Sequence, residues 1–359
     1  MTIAIHISNE GDENISDSFI YNCFTRLAAE QPLYNFLFIY DSPVPVKEVP
    51  LNCTTVHLLP QIKNNLTRYY WYSYKLPALL ERFNASVFIF SGRLCSFRTK
   101  VPQCMLVDST SLLQLSQGRF GRKFLARSLE IVKAVCVMNK GIEEELHKTF
   151  QFERSKINII LPGLDEIYQP IKWEQSEEIK EKYTSGKDFF YHEVNPVETN
   201  ITVSILKSFT LFKKWQRSEM QLVLLFSNVI EPAFSKLLAS YKYKNDVIIL
   251  EGIEHRPEIL PAAYAALLGI NNYYSCLQTM KCAVPLIQII RMHSQADLSD
   301  AAIYSNAEEN EISENLMKLY KNEHLRNEYI KRGLTFSAQY SWQNSTSSMW
   351  KLINAIADQ

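Results

Sequence analysis

The stretch that decides the fold is residues 188–226, which read DFFYHEVNPVETNITVSILKSFTLFKKWQRSEMQLVLLF. It begins with a largely apolar run at Asp188–Tyr191 and ends with another at Gln221–Phe226, and neither run alternates with polar residues. Between them, Ile205–Trp215 places apolar residues at spacings of four and three, the pattern of a helix with one apolar face. A strand, a helix and a second strand in this order predict a parallel sheet covered on both faces.

The same alternation extends in both directions along the chain. The other candidate strands are Thr2–Ile7, Asn35–Tyr40, Val87–Phe90, Cys104–Val107, Ala134–Met138, Ile157–Leu161, Asp246–Leu250 and Val284–Ile289. The first set ends near Leu161, and a polar, charged stretch at Trp173–Lys187 precedes the second set. Because proline and glycine punctuate the chain between the sets, we place a domain boundary around Pro170. A terminal helix with one apolar face is predicted over 341–359.

The composition excludes several classes of protein. Of 359 residues, 47% are hydrophobic, and 38 basic residues balance 38 acidic ones, so no surplus of positive charge predicts a nucleic-acid partner. The seven cysteines are scattered without a CxxC pair, which argues against a disulfide framework and a thiolate metal site. Met1–Ser8 has the pattern of a first strand rather than of a signal peptide. With no apolar run long enough to span a membrane, we expect a cytoplasmic protein.

Several short motifs follow one another in a fixed order. They are ILPGLD at 160–165 followed by YQP at 168–170, LKSF at 206–209 with FKK at 212–214, QTMKCAVPLI at 278–287, LYKNE at 319–323 and YSW at 340–342. In order and spacing these motifs resemble those of the family 4 retaining glycosyltransferases. The similarity runs over nearly the full length and is clearest in the second half.

The resemblance implies an α/β protein of the GT-B fold, with two Rossmann-like, doubly wound parallel-sheet domains facing a central cleft. The domain at 1–170, joined by the C-terminal helix at 341–359, would lie on the acceptor side, and the domain at 171–340 would bind the donor. The implied reaction is the transfer of a sugar from a nucleotide-sugar donor to a glycan or lipid-linked acceptor in polysaccharide biosynthesis. Members of this family usually need no metal ion, and the sequence implies no other cofactor.

The chain departs from the family at the positions that would contact the donor. The glycine-rich turn after the first strand is replaced by Asn9–Ser18, which holds one glycine and four acidic residues. The family's histidine is replaced by Val107, which has no polar atom, although the aspartate that follows it is kept as Asp108. The arginine and lysine with which the family binds the diphosphate are missing: apart from His192, no basic residue lies between Lys187 and Lys207.

Two glutamates of the family are also replaced. The first of them falls on Ile270, which has no polar side-chain atom. The second corresponds to Gln278, which keeps the shape and the hydrogen-bonding groups of a glutamate but not its charge. The family's glycine after the first donor-domain strand falls on or beside Glu193, so a carboxylate stands where a diphosphate would approach. Together these departures predict that the family's usual way of holding the donor is badly weakened.

The candidate site residues follow from these comparisons. Asp108 is the candidate catalytic residue, with a helix cap as the alternative role. The candidate donor-binding residues are His192, Thr199, Asn200, Gln278 and Thr279. His192 would be a weak substitute for the missing cations, and a packed or surface histidine is the alternative.

Two functional hypotheses remain open. The first is an active glycosyltransferase with an altered donor site. The second is a catalytically inactive relative that serves as a partner or scaffold for an active glycosyltransferase, or that binds a glycan. The aromatic and basic segment Arg68–Lys75 and the basic residues of 119–127 suggest a peripheral membrane contact, with a packed helix and a solvated basic face as the alternatives.

Overall fold

The computed structural model of the chain describes residues 1–7, 19–40, 49–58, 65–91, 95–107, 119–195, 199–227, 230, 232–269, 273–290 and 298–357. The chain divides into two compact units. The first unit combines Met1–Gly163 with Tyr340–Gln359, and the second is Leu164–Gln339. Each unit is built around a parallel sheet with helices on its faces.

The sheet of the first unit has seven strands, all parallel, in the order β3-β2-β1-β4-β5-β6-β7. Its strands are β1 (Thr2–Ile7), β2 (Asn35–Tyr40), β3 (Cys53–His57), β4 (Ala85–Ser91), β5 (Gln103–Val107), β6 (Ala134–Val137) and β7 (Ile157–Ile159). Its described helices are Phe19–Glu30, Asn65–Tyr70, the π-helix Trp71–Lys75, Leu76–Arg82, Arg119–Ile131, Lys140–Phe150, the 3₁₀ turn Arg154–Lys156 and Trp342–Ala357.

The sheet of the second unit has six parallel strands in the order β10-β9-β8-β11-β12-β13. Its strands are β8 (Phe189–Val194), β9 (Gln221–Phe226), β10 (Val247–Glu251), β11 (Ala265–Gly269), β12 (Leu286–Ile290) and β13 (Ile303–Asn306). Its described helices are Trp173–Thr184, Thr199–Gln216, Pro232–Ala239, Arg256–Ile259, Tyr273–Lys281, Glu309–Lys321 and Glu323–Ser337, with 3₁₀ turns at Lys244–Asp246, Ile253–His255 and Leu260–Ala262. No described helix is both long and apolar enough to cross a membrane.

The predicted fold class is confirmed, since both units are doubly wound parallel sheets. The side chains of β1 point alternately into two separate apolar clusters, with Ile3 and Ile5 in one and Ala4 in the other. Both faces of the first sheet are therefore covered, which explains why its central strands are largely apolar. The core of the second unit is rich in aromatic rings, and Phe190 meets Phe212 edge to face at 5.1 Å between ring centroids.

The linker between the two units is held by a lysine from one of the recognised motifs. The Nζ of Lys281 donates hydrogen bonds to the backbone carbonyls of Leu164 and Asp165, each at 2.9 Å. These bonds tie the segment that follows Gly163 to the second unit. The two compact units divide between Gly163 and Leu164, ahead of Pro170.

The terminal helix Trp342–Ala357 packs on the first unit through a buried apolar face that includes Met349 and Ile353. At its start, the Trp342 ring stacks on Phe19 at 6.1 Å between centroids. Gly163 lies directly against Trp342, so a Cβ added at position 163 would be 2.3 Å from the indole ring. The absence of a side chain at Gly163 is therefore what allows the helix to start where it does.

Replacing Gly163 with alanine should destabilise the first unit by about 3 kcal/mol, because both the indole and the backbone of Trp342 would have to move. Differential scanning calorimetry should show the transition of this unit lowered by about 6–12 °C. Gly333→Ala is the matched control, since its Cβ would meet the flexible Met280 side chain at 3.2 Å. That change should stay within about 1 kcal/mol. Equal effects of the two substitutions would contradict the prediction.

Candidate functional site

The strand order of the second sheet reverses beside β8. The chain runs outward from β8 to β9 and β10, then returns to the other side of β8 with β11. In open parallel sheets, ligands bind at the carboxyl ends of the strands at such a reversal. The candidate site of this unit is therefore the edge where β8 and β11 end.

An ion pair occupies this edge. Glu193 lies at the end of β8, and Arg256 begins the short helix that follows β10. The Nη2 of Arg256 donates a hydrogen bond to Glu193 Oε1, and its Nη1 donates to Gln278 Oε1 at 3.1 Å. The side chains of Arg256 and Glu193 are only 14% and 9% exposed, so the pair lies largely out of water. We call these three residues the Arg256 cluster.

Two tyrosines stand beside the Arg256 cluster. Burial raises the pKa of Tyr168 and of Tyr191, although the neighbouring Arg256 guanidinium acts to lower both. Both hydroxyls therefore stay protonated at neutral pH. Arg256 is thus surrounded by one carboxylate, one amide and two neutral hydroxyls, and the cluster carries no net charge.

The hydrogen bonding of this buried region is incomplete. Among the described residues, Glu193 Oε2, Arg256 Nε and Gln288 Oε1 are buried without a hydrogen-bond partner. Gln288 Nε2 lies 4.0 Å from the Sγ of Cys276, a thiol whose pKa is raised by burial and by the nearby Glu193 carboxylate. Buried polar atoms normally have partners, so their concentration around one ion pair marks this edge as unusual.

His192 faces the opposite side of the sheet from Glu193. Its Nδ1 lies 2.8 Å from the carbonyl oxygen of Leu267, and its Nε2 lies 2.9 Å from the hydroxyl of Thr202. Because a carbonyl only accepts, Nδ1 carries the proton and Nε2 accepts from Thr202. Burial lowers the pKa of His192 to about 4, so the ring is neutral at pH 7. Both nitrogens are engaged inside the unit.

The other predicted donor-binding residues lie in two places. Thr199 and Asn200 are exposed in the first turn of the helix Thr199–Gln216, where backbone N–H groups and the helix dipole favour an anion. Thr279 is fully buried and donates to the carbonyl of Ser275 at 2.8 Å. Only Gln278 joins the Arg256 cluster, and the binding roles of all five residues stay predictions.

Arg256 is not among the candidate residues predicted from the sequence. It lies after β10 and outside every recognised motif, so neither spacing nor resemblance selects it. The signal that points to it is Glu193 itself. A carboxylate in a buried strand needs a cation or donor beside it, and the strand topology brings Arg256 there.

In the first unit, the candidate catalytic Asp108 lies outside the described residues, directly after the buried Val107 that ends β5. Its role stays a prediction. Among the described residues, no group of three or more histidine, cysteine or acidic side chains is placed to hold a metal ion.

The aromatic segment of the first unit is divided between core and surface. Trp71 and Tyr72 are buried, whereas Tyr70 and Tyr74 are exposed with their ring centroids 5.9 Å apart. The guanidinium of Arg98 lies over the Tyr74 ring at 4.4 Å. A packed helix thus accounts for half of this segment, and the other half forms an exposed aromatic and basic surface.

Comparison with known proteins gives a clear result at the level of fold. No family model matches the sequence, and no curated protein matches it. Solved structures match nearly the whole chain. A glycosyltransferase from Rickettsia africae is 10% identical, with a TM-score of 0.76 over 99% of this chain and 98% of that one. Sucrose-phosphate synthase from Thermosynechococcus elongatus is 12% identical, with a TM-score of 0.72 over 99% and 98%.

A third neighbour was solved with ligands. Anabaena HepE, in complex with UDP and glucose, is 10% identical, with a TM-score of 0.71 over 99% of this chain and 100% of that one. The chain has the GT-B fold. At these identities the likeness establishes the fold of the chain and not its reaction.

The buried His192 generates a pH prediction. The pKa of His192 falls from an ordinary 6.5 to about 4 on folding. At pH values between 4 and 6.5, the unfolded chain therefore binds a proton at this residue that the folded chain does not. Stability is therefore lost as the pH falls through this window. We expect His192 alone to remove about 2 kcal/mol of unfolding free energy between pH 7 and pH 5.

Urea unfolding at the two pH values tests this expectation. In His192→Gln, which cannot titrate, the pH-dependent loss should be about 2 kcal/mol smaller than in the unsubstituted chain. Equal pH dependence in the two proteins would show that His192 is accessible to protons in the folded state.

Proposed function

We propose that this protein is a glycosyltransferase that transfers a sugar from a nucleotide-sugar donor to a glycan or lipid-linked acceptor, through an altered donor site. The observation that carries the proposal is the set of polar groups gathered at the strand reversal beside β8, in a chain whose fold matches glycosyltransferases over their full lengths. HepE binds UDP and glucose on the same fold, so a uridine diphosphate sugar is the first donor to test.

The diphosphate of the donor would be held mainly by the start of the helix Thr199–Gln216. Exposed backbone N–H groups near Thr199 and Asn200 would donate to phosphate oxygens, and the helix dipole would favour the negative charge. With Arg256 already paired, no described cation at this edge is free to stabilise the leaving nucleotide. We therefore expect weaker donor binding and slower transfer than a free arginine would give.

The second candidate function is a non-catalytic partner or scaffold for an active glycosyltransferase, or a glycan-binding protein. The specific observation that favours it is the neutralised Arg256 cluster, because a site without a free cation stabilises a diphosphate leaving group poorly. In this case the exposed surface around Tyr74 and Arg98 would be the place to look for a glycan or protein contact.

The acceptor and the cellular location belong to the same proposal. We expect a cytoplasmic protein that meets a lipid-linked acceptor at the membrane surface without crossing the membrane. The exposed rings of Tyr70 and Tyr74 and the basic Arg98 and Arg127 would contact anionic lipid headgroups.

No nucleic acid is expected as a partner, because the chain has no net positive charge. No metal ion or other cofactor is expected, apart from the nucleotide-sugar substrate.

Isothermal titration of the full chain with UDP, GDP and ADP and with their sugars tests the proposal. We expect one nucleotide to bind weakly, with a dissociation constant between about 10 μM and 1 mM, because no described cation is free to hold its diphosphate. Release of that nucleotide from its sugar donor should then be measurable. If none of these nucleotides or nucleotide sugars binds at concentrations up to millimolar, the proposal is overturned in favour of the non-catalytic alternative.

A matched pair of variants localises the donor. Asn200→Asp places a negative charge at the exposed second position of the helix Thr199–Gln216 and should weaken nucleotide binding about tenfold by repulsion. Gln343→Asp makes a comparable change at the exposed second position of the helix Trp342–Ala357 in the first unit. It should leave nucleotide binding unchanged. Equal effects of the two variants would show that the diphosphate is held elsewhere.

A further inference from the structure

The counter-ion of Arg256 is a side chain of the same protein, Glu193. A guanidinium binds carboxylates and phosphates with the same planar arrangement of N–H donors, so one group can take the place of the other. Here Glu193 holds Nη2, and Gln278 holds Nη1 at 3.1 Å. The nitrogens that would face a phosphate are thus already engaged by side chains of the same unit.

Among the residues that the structure describes, the charges at this edge oppose a second anion. Glu193 neutralises Arg256, and no lysine or arginine lies between Lys187 and Lys207 in the sequence. A diphosphate placed beside Arg256 would meet the Glu193 carboxylate in a poorly solvated region, where repulsion between like charges is strong. Glu193 therefore makes the edge unfavourable for the ligand that Arg256 alone would attract.

The pairing is also incomplete. Only one oxygen of Glu193 is engaged, because Oε2 is buried without a partner among the described residues, and Arg256 Nε is likewise unpartnered. A carboxylate evolved only to neutralise a buried arginine would be expected to use both oxygens against the guanidinium. The removal of two charges from water is costly, and such a pair adds little net stability. Stability alone is thus a weak explanation for this pair.

We propose that Glu193 acts as a built-in anion that occupies Arg256 and thereby determines the affinity of this edge for diphosphates. The inference rests on the proposed function, in that Arg256 lies at the edge assigned to the donor. When position 193 is neutral, Arg256 becomes a binding site for pyrophosphate and for the diphosphate of a nucleotide. Glu193 is thus a specificity-determining residue that keeps diphosphate affinity low in this protein.

The direct test is isothermal titration of the full chain with inorganic pyrophosphate at low salt. The unsubstituted chain should bind it weakly, and Glu193→Gln should bind it at least tenfold more tightly. The double variant Glu193→Gln with Arg256→Met should lose this gain, because the cation is gone. Glu193→Asp, which keeps the negative charge, should show no gain. Absence of a gain in Glu193→Gln, or a gain that survives in the double variant, overturns the inference.

A second ion pair of the same unit supplies the structural control. Lys213 contacts Asp246 at 3.1 Å, and the lysine side chain is only 7% exposed. Asp246→Asn removes the carboxylate from this pair, away from the candidate site, and should not change pyrophosphate binding. A gain in Asp246→Asn as large as that in Glu193→Gln would show that general loosening, rather than release of Arg256, causes the effect.

Loss of Glu193 leaves a buried charge without its partner, so the folded yield of each variant has to be followed by circular dichroism. If Glu193→Gln is poorly folded, 10 mM pyrophosphate should raise its soluble yield and melting temperature, because ligand binding stabilises the folded state. The double variant should gain nothing from pyrophosphate. Equal responses of the two variants overturn the inference without requiring a stable Glu193→Gln protein.

The outcomes separate this inference from the proposed function. If the unsubstituted chain binds a nucleotide and Glu193→Gln binds pyrophosphate no better, the inference fails and the proposed function stands. If the unsubstituted chain binds no nucleotide but Glu193→Gln gains pyrophosphate binding through Arg256, the inference stands and the non-catalytic alternative replaces the proposed function.

Discussion

Both units depend on one constraint, which is that a sheet of parallel strands has to be covered on its two faces. A parallel pair needs a crossover that returns the chain to the starting edge, and the helix in that crossover covers a face. All carboxyl ends of the strands consequently gather at one edge. In the second unit, β8 and β11 end side by side there because the chain reverses its direction of winding beside β8. The position of the Arg256 cluster follows from this winding.

The sequence predicted the architecture well where apolar runs were continuous. The strands β1, β2 and β9 have the predicted limits, because apolar residues dominate each of them and nearly every position is buried. Three strands were missed, each for a physical reason. In β11, three of the five residues are alanine or glycine, which have low strand propensity, although every residue is buried. β3 and β13 lie at sheet edges and carry polar residues, so their pattern resembles that of a loop.

The candidate site was less accessible to sequence reasoning. The sequence correctly placed a carboxylate near the end of β8, and it identified Gln278 as a polar residue of the same unit. It could not supply Arg256, which reaches Glu193 only through the pairing of strands. Nor could it show that His192, next to Glu193 in sequence, faces the other side of the sheet and bonds to Leu267 and Thr202. Adjacent residues in a strand point to opposite faces of the sheet, so these two side chains lie on different faces although they are neighbours in the sequence.

The helix Trp342–Ala357 has a consequence for how the chain is made. It is synthesised after the whole second unit, yet its apolar face completes the core of the first unit. On the ribosome, the second unit is therefore the earlier of the two to have all its residues available, although most of the first unit precedes it in the sequence. Until this helix emerges, the side chains that it covers, Phe19 and Tyr34 among them, remain open to water. The first unit thus keeps an uncovered apolar surface while the whole second unit is synthesised, a condition in which nascent chains are prone to aggregate and to bind chaperones.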